Sequence, residues 1–165
     1  MKTQTLDDFS GADIIDSRGV EARIDELESE VTAWDDTKTE LEEALEDAKA
    51  DPDEEGRDRV DIEEAEADLQ AHLSDADDID TAREELKTLT ELRDGCGSRE
   101  WAYGLTLINE SYFQEYAQQL ADDIGAVNKD MSWPYTCIDW DQAAEELKQD
   151  YSSVDFEGET YYYRD

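Results

Sequence analysis

Between residues 24 and 48 the inward candidates fall in one alternation of threes and fours: Ile24, Leu27, Val31, Trp34, Lys38, Leu41, Leu45 and Ala48. That spacing draws a narrow stripe along a helix, the seam by which one helix packs against another. No proline interrupts it before Pro52, and Ser17 is placed to cap its start, so a helix over 18–49 is predicted. Ile62, Ala65, Leu69, His72, Ala76 and Ile79 repeat the spacing. Between the stripes, Asp51-Pro52-Asp53-Glu54 combines a capping side chain, a proline suited to the first helical position and first-turn acids, which marks a second helix start. The two stripes are expected to fold back on each other. They are too short for a long parallel dimer, and Lys38 and His72 lie on the seam, so an intramolecular hairpin is favoured over a coiled-coil dimer.

Thr81-Ala82-Arg83-Glu84 reads as a capping box opening a further short helix with Leu86, Leu89 and Leu92, closed by Gly95 and Gly97. The style then changes. Of 15 aromatic residues only Phe9 and Trp34 precede residue 96, which puts the core-forming material in the C-terminal part. There Tyr112, Phe113, Tyr116, Ala117, Leu120 and Ile124 mark one amphipathic helix, stopped by Gly125. Asp139-Trp140-Asp141-Gln142 resembles a capping box for another, with Ala143, Ala144 and Leu147 turned inward. The tail SSVDFEGETYYYR predicts two strands around Glu157-Gly158. The expected fold is mainly α with a small α+β C-terminal unit: an acidic helical hairpin over 1–95, then two helices and a β-hairpin over 96–165.

Charge limits the partners. The 49 acidic residues outweigh the 14 basic ones by 35 charges, far beyond what solubility asks of a small domain. Nucleic acid and anionic membranes would be repelled, and a basic partner is expected. No run approaches the roughly 18 apolar residues of a membrane span, and MKTQTLDDF has neither the basic nor the apolar part of a signal peptide, so a cytoplasmic location is expected.

Conventional chemistry finds little footing. Residues 51–64 set Asp51, Asp53 and Glu55 at alternate positions before Gly56, but the twelfth position of a calcium loop is Ile62, where a bidentate glutamate is needed. His72 is the sole histidine and lies on the seam, which suits packing better than proton transfer. Cys96 and Cys137 are too far apart in sequence for a zinc-binding pair; apart from Arg99, nothing basic adjoins Cys96 to activate its thiol. Carboxylate pairs are too numerous for any to stand out. No cofactor, metal or catalytic residue is expected.

The acidity itself points elsewhere. From Glu21 to Asp47 there are 12 acids in 27 residues, which at 1.5 Å per residue gives one negative charge per ~3.4 Å, the spacing along one DNA strand. Two such helices side by side approach the charge density of a duplex. A solvated helix face and adaptation to a salty medium give the same composition, and sequence alone leaves these readings open. Under the mimic reading the contact acids are Glu40, Glu42, Glu43, Glu46 and Asp47 on the first helix, Asp122 and Asp123 at a helix end, and Asp139, Asp141, Glu145 and Glu146 after the Trp133-Pro134 turn.

Tyr116, Ala117 and Leu120, followed by Ile138, Asp139, Trp140, Ala143, Leu147 and a closing strand pair, resemble the C-terminal part of ArdA-type antirestriction proteins, found in phages and mobile elements, over residues 101–164. These residues set packing and capping. The resemblance implies an acidic, non-enzymatic protein, a possible homodimer, that imitates bent DNA and blocks a basic DNA-binding target such as a type I restriction-modification enzyme. The alternative is an adaptor whose hairpin docks a protein partner, its acidity reflecting a high-salt host.

Overall fold

The computed structural model describes residues 4–50, 58–97, 99–128, 130 and 132–164. Its elements in order are α1 (Leu6–Phe9), β1 (Ile14–Asp16), α2 (Ser17–Ala50), α3 (Asp58–Leu73), α4 (Ala76–Cys96), α5 (Trp101–Gly104), β2 (Thr106–Asn109), α6 (Phe113–Asp123), α7 (Trp140–Lys148), β3 (Ser152–Phe156) and β4 (Glu159–Tyr163). This is the expected mainly helical chain with a small α+β unit. The proposed helix start at residues 51–54 and the calcium-like spacing over 51–57 lie outside the described residues.

The division into units differs from the break expected at residues 95 and 96. One unit joins residues 1–23 to 89–165, and the other is 24–88. The reason is a strand that two apolar residues barely announce. Ile14 and Ile15 in β1 pair antiparallel with Ile108 and Leu107 in β2, and the Asn109 N–H donates to the Asp13 carbonyl at 2.9 Å. The sheet therefore has four antiparallel strands in the order β1-β2-β4-β3, where only the β3-β4 hairpin was expected. Glu157 and Gly158, both at positive φ, make its turn.

Alternation along the strands gives this sheet two apolar faces. Ile108 and Tyr162 face α6 and α7, where Phe113, Ala117 and Ala144 are buried with Tyr112, Tyr116, Leu147 and Tyr151 packed around them. On the other face Leu107 and Tyr161 are fully buried and Tyr163 nearly so. Tyr163 Oη donates to the Cys96 carbonyl at 2.7 Å, and the Phe156 and Tyr161 rings meet at 6.1 Å. Gly95 is helical, not a terminator: a Cβ there would stand 3.1 Å from Val154 Cγ2, so any larger residue would press on β3 where α4 approaches it. Gly97, at φ +56°, follows the helix end.

Ser17 has a different role from the expected cap. Its side chain is buried, donating to the Trp101 carbonyl at 2.6 Å and accepting from the Leu105 N–H at 2.7 Å. Asp16 caps instead, its Oδ1 accepting from the Arg18 N–H at 2.9 Å. Thr81 likewise opens no helix. It lies inside α4, and its hydroxyl donates to the Asp77 carbonyl one turn back. Ile124 caps the end of α6 and is 70% exposed rather than inward, with Gly125 at φ +72° beyond it.

In the other unit, α3 and α4 follow one another along α2 in the opposite direction: Lys49 meets Glu66 at 3.1 Å, and Asp35 is bonded to Arg83. Ser74 breaks the return arm by donating to the Ala71 carbonyl. The seam is the expected one. Ile24, Leu27 and Ile79 are buried, while Val31, Trp34, Leu41, Leu45, Ile62, Ala65 and Leu69 are half-buried, as on the seam of a helix pair. His72 is a seam residue: its ring stacks on Trp34 at 4.6 Å, and its Nε2 lies 3.0 Å from the Trp34 carbonyl oxygen.

Candidate protein-interaction surface

The outward faces of α2 and α3 follow from the seam. Once a three-four stripe is turned inward, the residues between its members face solvent, and here most are acids. On α2, Asp36, Glu40, Glu43 and Asp47 stand at steps of four, three and four, all exposed. Glu42 and Glu46 form a second exposed pair one turn apart. Lys38 lies 3.8 Å from Glu42, whereas the side chains of Glu40, Glu43, Glu46 and Asp47 meet no cation among the described residues.

The return arm carries a matching stripe. Asp61, Glu64 and Asp68 on α3 stand at steps of three and four and are all exposed. Sequence reading counted these acids without selecting them, although their spacing beside the second seam was the available signal. Residues 24–88 hold 27 acids against 6 bases, a net charge of −21 in 65 residues. Like charges one turn apart on a helix repel by roughly 0.2–0.5 kcal/mol per pair, so the stripes oppose folding of this unit.

The other expected contact acids sit in the sheet unit, where Asp139, Asp141, Glu145 and Glu146 already have local partners. Asp139 caps α7, its Oδ1 accepting from the Gln142 N–H at 3.1 Å. The reciprocal half of a capping box is not made there, because the Gln142 side chain donates forward to Glu146 at 2.9 Å. Asp141 accepts from Gln114 Nε2 at 2.6 Å, tying α7 to α6. Glu145 bonds Lys148 at 2.8 Å. Asp122 is half-buried near the end of α6, with Asp123 exposed beside it.

Lys148 organises much of that surface. Its ammonium lies 5.0 Å from the Tyr162 ring centroid and 5.7 Å from that of Phe113, and it bonds Glu110 at 3.1 Å as well as Glu145. Burial would lower its pKa, but the hydrogen bonds it donates to the two glutamates outweigh that and hold it above the ordinary lysine value. Burial, with a hydrogen bond shared with Tyr116, pushes the Tyr151 phenol well above its usual range.

Among the described residues no three His, Cys, Asp or Glu side chains converge as a metal site, and no helix is long and apolar enough to cross a membrane. Cys96 is buried and Cys137 exposed, both as free thiols. No family model, curated protein or solved structure matches the chain.

Proposed function

We propose that the chain is a non-enzymatic, acidic DNA mimic that occupies the DNA-binding surface of a basic host defence nuclease. The observation that carries this reading is the pair of exposed acidic stripes on α2 and α3, whose charges are left largely uncompensated at a cost to the stability of their own unit. A stripe of four acids over twelve residues can meet a surface that normally follows phosphates. Long-range attraction from a net charge of −21 would also speed encounter with it. The resemblance of residues 101–164 to ArdA-type proteins supports a type I restriction-modification complex as the target.

The test is a competition titration, in which the protein is added to such an enzyme bound to labelled duplex DNA at two salt concentrations. Near-stoichiometric displacement that weakens as salt shortens screening to a few ångströms supports mimicry. Reversing Glu40, Glu43, Glu46 and Asp47 together to lysine should abolish displacement, whereas any one reversal should cost little. Loss of all displacement from a single reversal would sink the distributed-charge reading.

The half-buried seam of the hairpin favours a second reading, an adaptor that docks an apolar partner helix along Val31, Leu41, Leu45, Ile62 and Leu69. Such docking would survive molar salt.

A further inference from the structure

In a chain so acidic, a cation without a counter-charge stands out. Ion pairs engage Arg18, Lys38, Lys49, Arg83, Arg93 and Lys148, whereas Arg99 and Arg164 form none among the described residues. Arg164 lines a cleft of about 260 Å³ in the sheet unit, together with Tyr116, Tyr151, Leu105, Ile108 and Leu120. At ~30 Å³ per water that space holds about nine waters, below the range of drug-sized pockets and suited to a small molecule.

The two phenols supply a second donor. Tyr116 Oη and Tyr151 Oη are 2.9 Å apart, so one donates and the other accepts. The accepting phenol keeps its own proton for a third group. Burial holds Tyr151 protonated far above neutral pH, so the donor persists under ordinary conditions.

The remaining lining restricts the ligand. Glu100 also faces the cleft and the whole chain is strongly negative, which penalises a dianion such as phosphate. A cation would meet Arg164. Leu105, Ile108 and Leu120 offer apolar contact to the rest of the molecule. We propose that this cleft binds a small apolar monocarboxylate, its carboxylate held by the Arg164 guanidinium and the free hydroxyl proton of the tyrosine pair, and its tail by the three aliphatic side chains.

The probe is phenylacetate, titrated into the full chain with backbone amide NMR as the readout and phenylacetamide as its neutral counterpart. Saturable shifts centred on residues 105–108, 120 and 151 are expected, with an affinity of about millimolar. The amide, and phenylacetate on Arg164→Gln, should each bind about tenfold more weakly or worse. Arg99→Gln removes the same charge outside the cleft lining and should leave binding unchanged. Three results would each overturn the proposal: no saturable shift with phenylacetate, equal binding of the amide, or equal weakening by the two arginine substitutions.

Discussion

Asp139 in the sheet unit holds a helix N-terminus, Asp141 ties two helices, and Glu110 and Glu145 share a lysine; Glu40, Glu43 and Asp47 in the hairpin unit engage no cation among the described residues. The apolar side chains divide in the same way. Residues of the sheet unit such as Phe113 and Leu107 are fully buried, while most of the hairpin seam is half-exposed. A carboxylate serves structure where a packed framework brings a donor or cation to it. Where two helices merely pair, a few acids such as Asp35 and Glu66 meet a cation, and the stripe of Glu40, Glu43 and Asp47 faces water and remains available to something else.

The sharpest way to break this contrast is to truncate one apolar residue in each unit. Phe113 is fully buried, with Tyr151 and Tyr162 edge-on at 5.2 Å, and Phe113→Ala should cost about 3–5 kcal/mol. Leu45→Ala, on the half-exposed seam, should cost only about 1 kcal/mol. Urea denaturation followed by circular dichroism compares them, and equal losses would mean that the hairpin carries as dense a core as the sheet.

Lys148 gives the next largest effect. Lys148→Met keeps the stem over Phe113 and Tyr162 but strands Glu110 and Glu145, for an expected loss of about 1–2 kcal/mol. Its folded pKa is raised, so its contribution is complete below the unfolded lysine value of about 10.4 and is lost as pH rises through the folded value. The gap between wild type and variant in denaturation midpoint should therefore close in strong alkali. A gap that persists would assign the loss to packing alone.

Removing acids should then act with opposite signs in the two units. Asp139→Ala deletes a cap and should cost about 1 kcal/mol. The triple variant Glu40→Gln, Glu43→Gln, Asp47→Asn deletes only repulsion and should raise the thermal midpoint. If the triple variant is less stable than wild type, these acids have structural partners and the idea of an uncommitted stripe fails.

What was legible in the sequence follows the same divide. The three-four alternation from Ile24 to Ala48 and from Ile62 to Ile79 located the seam residue by residue, because helix pairing depends on local periodicity alone. The β3-β4 hairpin was legible from its aromatic alternation and its Glu157-Gly158 turn. β1 and β2 were not. Three and four residues long, they owe their extended form to pairing across some ninety residues of sequence, and Ile14-Ile15 alone carries no period. Ser17 misled for a related reason: its hydroxyl has the chemistry of a cap, but residues 101–105 claim it from a distance. The stripe on α2 was readable as a charge spacing, whereas the bonds that engage Asp141 and Glu145 depend on neighbours that only folding supplies.

The finest test concerns Asp16, an acid that the sheet unit uses at its margin. Its Oδ2 meets Arg18 Nη2 at 2.6 Å and its Oδ1 meets Arg18 Nε at 3.1 Å, in addition to the capping bond. The Arg18 side-chain hydrogen bonds hold its carboxyl below the ordinary value, against a smaller opposing effect of burial. With the folded pKa below the unfolded one, the contribution is complete above about pH 4 and disappears as pH falls through the folded value. Because 48% of the side chain is exposed, screening confines that contribution to a few tenths of a kcal/mol. Asp16→Asn keeps a capping oxygen and removes only the charge, so it should be slightly destabilising near neutral pH and indistinguishable from wild type in strong acid. Urea midpoints at the two pH values decide it. A difference that survives in acid would mean that shape rather than charge fastens Asp16, and the rule that the sheet unit puts its carboxylate charges to structural use would fail at this residue.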